Sequence, residues 1–211
     1  NAVKVMQHLE FCHQWHWPEL DVQMASATDQ WAQYSVAGPR SRELLAKLVD
    51  APFDISNEGF PYMAVAEITV CNGIRARIYR LSFSGELAYE IGVPARYGDS
   101  LIRALMAAGQ EFGALCYGTE ALGVMRIEKG HVGGPEINGT TTAADLGLGK
   151  MASTKKDFIG RVLAGREGLK DPSRPALVGF RPVDRSARLR SGSHLLPKDA
   201  GNFASNDQGY L

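Results

Sequence analysis

Glu90 stands between Ala88 and Gly92 in the run Arg80–Pro94, R-L-S-F-S-G-E-L-A-Y-E-I-G-V-P. In an extended strand, successive side chains point to opposite faces. Leu87, Tyr89, Ile91 and Val93 then share an apolar face suited to a core, while Ala88, Glu90 and Gly92 share the other. A carboxylate between two residues with almost no side chain leaves a shallow space with an acid at its centre. A flat ligand carrying adjacent N–H donors can lie there and be held by the two carboxylate oxygens. The competing reading is a solvent-facing glutamate on an edge strand.

Other chemistry-bearing groups point less clearly to a site. His8, His13 and His16 recur along one predicted helix, but two histidines at i, i+3 need a further ligand, and no H-E-x-x-H arrangement supplies one. Gly147-Leu148-Gly149-Lys150 hints at a phosphate loop, yet Ala144 replaces its first glycine and Met151 its Ser/Thr. No G-x-S-x-G and no G-x-G-x-x-G after a strand is present, so the chain carries no flavin or NAD fingerprint of its own. Arg126 and Glu128 share a predicted helix, where they read as a solvated pair or as a tie from helix to sheet.

The elements that must position Glu90 follow from local pattern. Residues 1–16 read as an amphipathic helix, with Val5, Met6, Leu9 and Cys12 at helical spacing. Val22–Ala27 and Trp31–Ala37 read as strands around a turn at Thr28-Asp29. Pro39 marks a helix start, with Leu44, Leu45, Leu48 and Val49 on its apolar face. Residues 50–61 form a loop. Ala64–Cys71 and Ile74–Ser82 flank Asn72-Gly73, a strong hairpin signal. Tyr97–Phe112 reads as a helix capped by Asp99, and a further helix spans Thr119–Lys129 and closes at Gly130. T-A-A-D from Thr142 has capping-box spacing. Residues 165–175 read as a linker, and Ala176–Arg181 as the first strand of a small β domain.

This order predicts an α+β fold, an antiparallel sheet layered against helices. Its expected divisions are 1–58, 59–164, the linker, and an incomplete C-terminal β domain at 176–211. Both ends read as cut, because the chain opens without Met directly into a helical pattern and stops on a turn at Gln208-Gly209.

Bulk properties exclude several classes. Of the 211 residues, 45% are apolar and 22% charged, which suits a folded core. Lys plus Arg number 23, as do Asp plus Glu, so charge gives no case for nucleic acid or an anionic membrane. No apolar run reaches membrane-spanning length. Cys12, Cys71 and Cys116 are far apart with no C-x-x-C, as expected for reduced thiols in the cytoplasm.

The Glu90 segment resembles the aminomethyltransferase (glycine-cleavage T-protein) family of tetrahydrofolate-binding domains, whose pattern here is R-x-x-[YF]-[ST]-G-E-x-x-Y-E-I-x-V-P. Further matches follow in order: V-A-G-P-R-S-R-E-L-L from Val36, A-L-G-V-M-R-I-E-K-G from Ala121, T-T-A-A-D-L-G-L-G from Thr141 and K-D-F-I-G-R from Lys156. The blocks cover roughly residues 30 to 190. The resemblance implies an aminomethyltransferase-like fold leading into a C-terminal β-barrel. It also implies that Glu90 hydrogen-bonds the pterin ring of tetrahydrofolate, with Phe83 where many members have Tyr and Arg126 facing the folate tail or steadying Glu90. Tyr117 and Thr142 are weaker candidates for the rim.

The family's catalytic Asp lies in a segment outside this sequence, and neither Asp21 nor Asp29 sits in a matching motif. Within the family, the wording is nearest to members built into bacterial heterotetrameric amine oxidases. That implies FAD, FMN and NAD elsewhere in a complex of several subunits, and delivery of a one-carbon unit to folate as 5,10-methylenetetrahydrofolate. Three alternatives stay open: a vestigial pocket serving assembly, the equivalent domain of a demethylating dehydrogenase or a free aminomethyltransferase, and a folate-dependent iron–sulfur or tRNA-modification factor. The last subgroup has K-G-C where this chain has Lys129-Gly130-His131.

Overall fold

The computed structural model describes all 211 residues, which divide into two compact units, Asn1–His131 and Val132–Leu211. The first unit holds the sheet. Strands β1 (Trp31–Ala37), β2 (Val65–Val70), β3 (Ile74–Tyr79) and β4 (Ala88–Pro94) are antiparallel, in the order β1-β4-β3-β2. Helices α1 (Ala2–Phe11), α2 (Ser41–Ala46), α3 (Gly98–Gly109) and α4 (Thr119–Lys129) complete it. The expected α+β architecture of antiparallel sheet and helices is present.

The β2–β3 hairpin forms where Asn72-Gly73 demands it. Cys71, Asn72 and Gly73 all take positive φ, and Val70 pairs with Ile74 across them. Asp50 braces this turn, accepting from the backbone N–H groups of Asn72 at 3.0 Å and Gly73 at 2.8 Å. Those donors hold its carboxyl below the usual carboxylate range.

One face of the sheet builds the core. Ile68, Val70, Ile78, Tyr89, Ile91 and Val93 are buried with Leu44 and Leu45 of α2 and Leu101 and Leu105 of α3. The helix contacts are close. A Cβ on Gly98 would lie 2.7 Å from the Cβ of Ala32, so only glycine lets α3 begin this near β1. The Tyr34 hydroxyl donates to the Gly98 carbonyl at 3.1 Å at the same point. At the other end of the sheet, Ser41 Oγ donates to the Leu87 carbonyl at 2.9 Å, fixing α2 at the entry to β4.

Three local expectations differ from what is observed. Val22–Ala27 is not a strand: β1 pairs only with β4, and its outer edge stays unpaired rather than taking up those residues. Asp99 does not cap α3, whose N-cap is Tyr97; it pairs instead with Arg103 one turn on, at 2.8 Å. Ala176–Arg181 forms no strand either, and its apolar Leu177, Val178 and Phe180 are exposed. The 1–16 helix is present, as α1 continued by a π-helical turn at Cys12–His16.

The second unit holds the short helix α5 (Arg161–Ala164) and no named strand. Its capping box closes as the spacing predicts: the Thr142 N–H donates to Asp145 Oδ2 at 2.8 Å, and the Asp145 N–H to Thr142 Oγ1 at 3.2 Å. A turn follows in place of a helix. Asp145 is engaged further by Arg174, whose Nη2 and Nε approach its two oxygens at 2.6 and 3.1 Å, while Nη2 also donates to the Thr140 carbonyl. The bidentate guanidinium, with the Thr142 donors, holds the Asp145 carboxyl well below the usual range.

Two predictions follow from these contacts. Gly98→Ala should lower stability by about 1–3 kcal/mol, read from the denaturant midpoint, because α3 must retreat from β1. For the second unit the sign is set by a depressed carboxylate. Its contribution is present in full above the ordinary aspartate value of about 4 and fades as the pH falls below it, through the folded-state value. Arg174→Ala should therefore loosen this unit at pH 7, and amide exchange in variant and parent should converge as the solution is acidified.

Candidate functional site

β4 is paired on both sides, and the register fixes what surrounds Glu90. Ser35 of β1 and Tyr79 of β3 lie directly opposite it, while Gln33 and Arg77 lie opposite Gly92. Opposed residues share a face. The outer face therefore carries one row of Ser35, Glu90, Tyr79 and Val65, and beside it a row of Gln33, Gly92, Arg77 and Glu67.

Gly92 is what lets the second row close. The Arg77 guanidinium reaches across it to the Trp31 ring, 4.2 Å from the centroid, and its Nε approaches Glu67 Oε1 at 3.3 Å. A Cβ on Gly92 would sit 3.7 Å from both Trp31 and Gln33, which is ordinary contact. Alanine would fit there, but a longer side chain would push between Trp31 and Arg77 and roof over the space beside Glu90.

Glu90 itself is half-buried. Gln33 Nε2 donates to its Oε2 at 2.5 Å, leaving Oε1 without a protein donor. One neutral amide thus orients the carboxylate, and its other oxygen remains an unused acceptor. Neither of its hydroxyl-bearing neighbours, Ser35 and Tyr79, hydrogen-bonds to it.

The other sequence candidates gather elsewhere. Phe83 lies in the β3–β4 connection, 45% exposed, with its ring edge-on to His131 at 6.4 Å between centroids. It is not a core residue. Arg126 Nη1 donates to the His131 carbonyl at 3.2 Å, next to the left-handed Gly130 that ends α4 as expected. Phe83 and Arg126 thus converge on His131, and neither contacts Glu90. Tyr117 is exposed before α4, and the Thr142 hydroxyl serves the capping box. His13 Nε2 lies 2.9 Å from the Leu20 carbonyl, His16 packs edge-on to Phe11, and His8 lies beside Cys12.

Sequence reasoning missed Gln33. Its polar position alternating with Ser35 in β1 was visible, but the register that brings it diagonal to Glu90 was not.

The first unit thus presents an oriented carboxylate on an antiparallel α+β layer. The chain belongs to the GCVT N-terminal domain family, whose model matches residues 1–156. It is 53% identical to sarcosine oxidase subunit alpha of Rhizobium meliloti (strain 1021), over 100% of this chain and 21% of that protein. It is 33% identical to the mitochondrial dimethylglycine dehydrogenase of Mus musculus, over 71% of this chain and 18% of that protein. To the aminomethyltransferase of Streptomyces coelicolor (strain ATCC BAA-471 / A3(2) / M145) it is 32% identical, over 83% and 49% respectively. The chain thus spans about a fifth of the length of the sarcosine oxidase subunit it matches.

The two faces of β4 should separate in stability. Ile91→Ala, at a fully buried position, should cost about 2–5 kcal/mol, whereas Glu90→Gln on the open face should stay within about 0.5 kcal/mol. Urea unfolding of the two variants measures both.

Proposed function

We propose that this chain is the tetrahydrofolate-binding domain of a sarcosine oxidase alpha subunit, and that Glu90 grips the pterin. The observation that carries this reading is the Glu90 carboxylate: half-buried, oriented by Gln33 through one oxygen, and open on the other between Ala88 and Gly92. Two oxygens held in one plane match adjacent ring N–H donors. Membership of the aminomethyltransferase-like family and the 53% identity to a sarcosine oxidase subunit support the same assignment.

Bound folate would supply the amines that take up the one-carbon unit released by sarcosine oxidation, as 5,10-methylenetetrahydrofolate. The task of this chain's own residues is then to bind and orient. Holding the acceptor in place converts a bimolecular capture into a local one. FAD, FMN and NAD belong in this reading to other parts of a heterotetrameric complex, with the remaining sarcosine oxidase subunits as partners and the cytoplasm as location. No helix of the chain is long and apolar enough to cross a membrane.

The similarity to dimethylglycine dehydrogenase and to an aminomethyltransferase supports the same folate chemistry and leaves the amine donor as the point of difference. Phe83, exposed and aromatic where a tyrosine is common in the family, is placed in this reading at the rim, and Arg126 steadies the end of α4.

Calorimetric titration with 5-formyltetrahydrofolate tests the proposal. Saturable binding is expected, and it should fall at least about tenfold, or some 1.4 kcal/mol, in Glu90→Ala. Equal affinity in parent and variant would remove Glu90 from the site.

A further inference from the structure

We propose that a second site in the first unit, between the β3–β4 connection and the end of α4, binds a small carboxylate. A cavity of about 270 Å³ lies there, lined by Tyr62, Arg80, Ser82, Glu86, Lys129 and His131 among others. Glu90 is not part of its wall. Two permanent cations and a protonatable imidazole face a single acid, so the cavity favours an anion.

Arg80 gives the sharper argument. Its Nη1 donates to the Phe60 carbonyl at 2.8 Å, which anchors the guanidinium to the protein. Its Nε is buried and has no acceptor. Buried N–H groups are almost always paired, so this guanidinium keeps donor capacity that its protein neighbours do not satisfy, and arginine is suited to planar carboxylates. Ser82 Oγ accepts from the Gly85 N–H at 2.9 Å, which leaves its own proton to donate. Lys129 and Glu86 are exposed and have no ion-pair partner. A Cβ on Gly85 would collide with the Lys129 chain at 2.3 Å, so the glycine is what lets Lys129 lie along the connection.

The volume is slightly under the range of about 300–1,000 Å³ that takes drug-sized molecules, so the occupant is small or is one end of something longer. Two sources share this chemistry: a free amino acid or dicarboxylate, and the carboxylate tail of a larger ligand such as a folate.

Glutarate, a carboxylate with no pterin, tests the site independently of the folate reading. Titration followed by the ¹⁵N–¹H shifts of Gly85, Glu86, Ala88 and His131 should saturate, with a dissociation constant on the order of 1 mM. Lys129→Ala combined with His131→Ala should weaken it at least about fivefold. These side chains stand clear of the Phe60 anchor, so the variant keeps its fold where an Arg80 variant can lose it. Arg103→Ala, which removes a cation from α3, should change nothing. No saturable shift, or unchanged affinity in the double variant, overturns the proposal.

Competition then names the source. Displacement of glutarate by 5-formyltetrahydrofolate but not by its pteroate counterpart assigns the cavity to the tail of the longer ligand. Simultaneous binding assigns it to a free carboxylate. Glutarate binding in a chain that takes no folate would leave this site standing and remove the Glu90 assignment alone.

Discussion

The structure of the first unit depends on the alternation of β4. Tyr89, Ile91 and Val93 are fully buried on one face, and hydrogen-bonded strands lie on both sides. Each of those side chains contributes about 1.5–3 kcal/mol by leaving water. A slip of one residue in register would expose all three and drive Glu90 into the core, where an unpaired carboxylate is far costlier. The core therefore decides which way Glu90 points. Polar contacts sharpen the choice: Arg42 Nε donates to the Tyr89 hydroxyl at 2.8 Å, so the one polar atom on the buried face is paired. The orientation of the candidate ligand group is a by-product of packing on the opposite side of the sheet.

The parts of this fold that were legible in the sequence are those set by neighbours in the chain. Alternation in Leu87–Val93 marked both faces of β4, and Asn72-Gly73 marked the hairpin because positive φ there demands such residues. Gly130 marked the end of α4 for the same reason. Elements that need a distant partner were not legible. Val22–Ala27 reads as a strand, but a strand exists only where it pairs with another, and the outer edge of β1 is left unpaired. Asp99 satisfies the composition of a cap, yet Arg103 one turn away offers it a charged partner. The candidate site divides in the same way. The face of Glu90 was readable from seven residues, whereas its contact with Gln33 joins positions 57 residues apart and depends on the β1–β4 register.

Capping in the second unit shows how a correct local signal can miss its usual consequence. Thr142 and Asp145 exchange their two hydrogen bonds as a capping box should, but no helix follows. The carboxylate is shared with Arg174, and the Leu177 N–H donates to the Asp145 carbonyl at 2.8 Å. That carbonyl would serve the next helical turn; here it holds a later segment of the chain. The box stops being a helix start and becomes the anchor of a folded loop. In a unit with no named strand and an α-helix of only four residues, these contacts tie Asp145 to Arg174 and Leu177.

Ala88 links the two proposed recognition surfaces of the first unit. It stands beside Glu90 on the open face of β4 and also lines the cavity of Arg80 and Lys129. The two surfaces are built from different materials. The Glu90 face rests on a twice-paired strand over a buried core, where backbone geometry is fixed and a flat partner can be matched by planar oxygens. The cavity is formed by a connection that turns at Gly85, with φ at +86°, and by the long side chains of Arg80 and Lys129. In the two proposals, recognition of a ring falls on the strand and recognition of a charge on the loop that enters it. Because Leu87 is tied to Ser41 and Gly38 through its carbonyl, the loop cannot drift from the strand it feeds. The spacing between Glu90 and the charged groups of the cavity is thus set by the same contacts that seat α2 on the sheet.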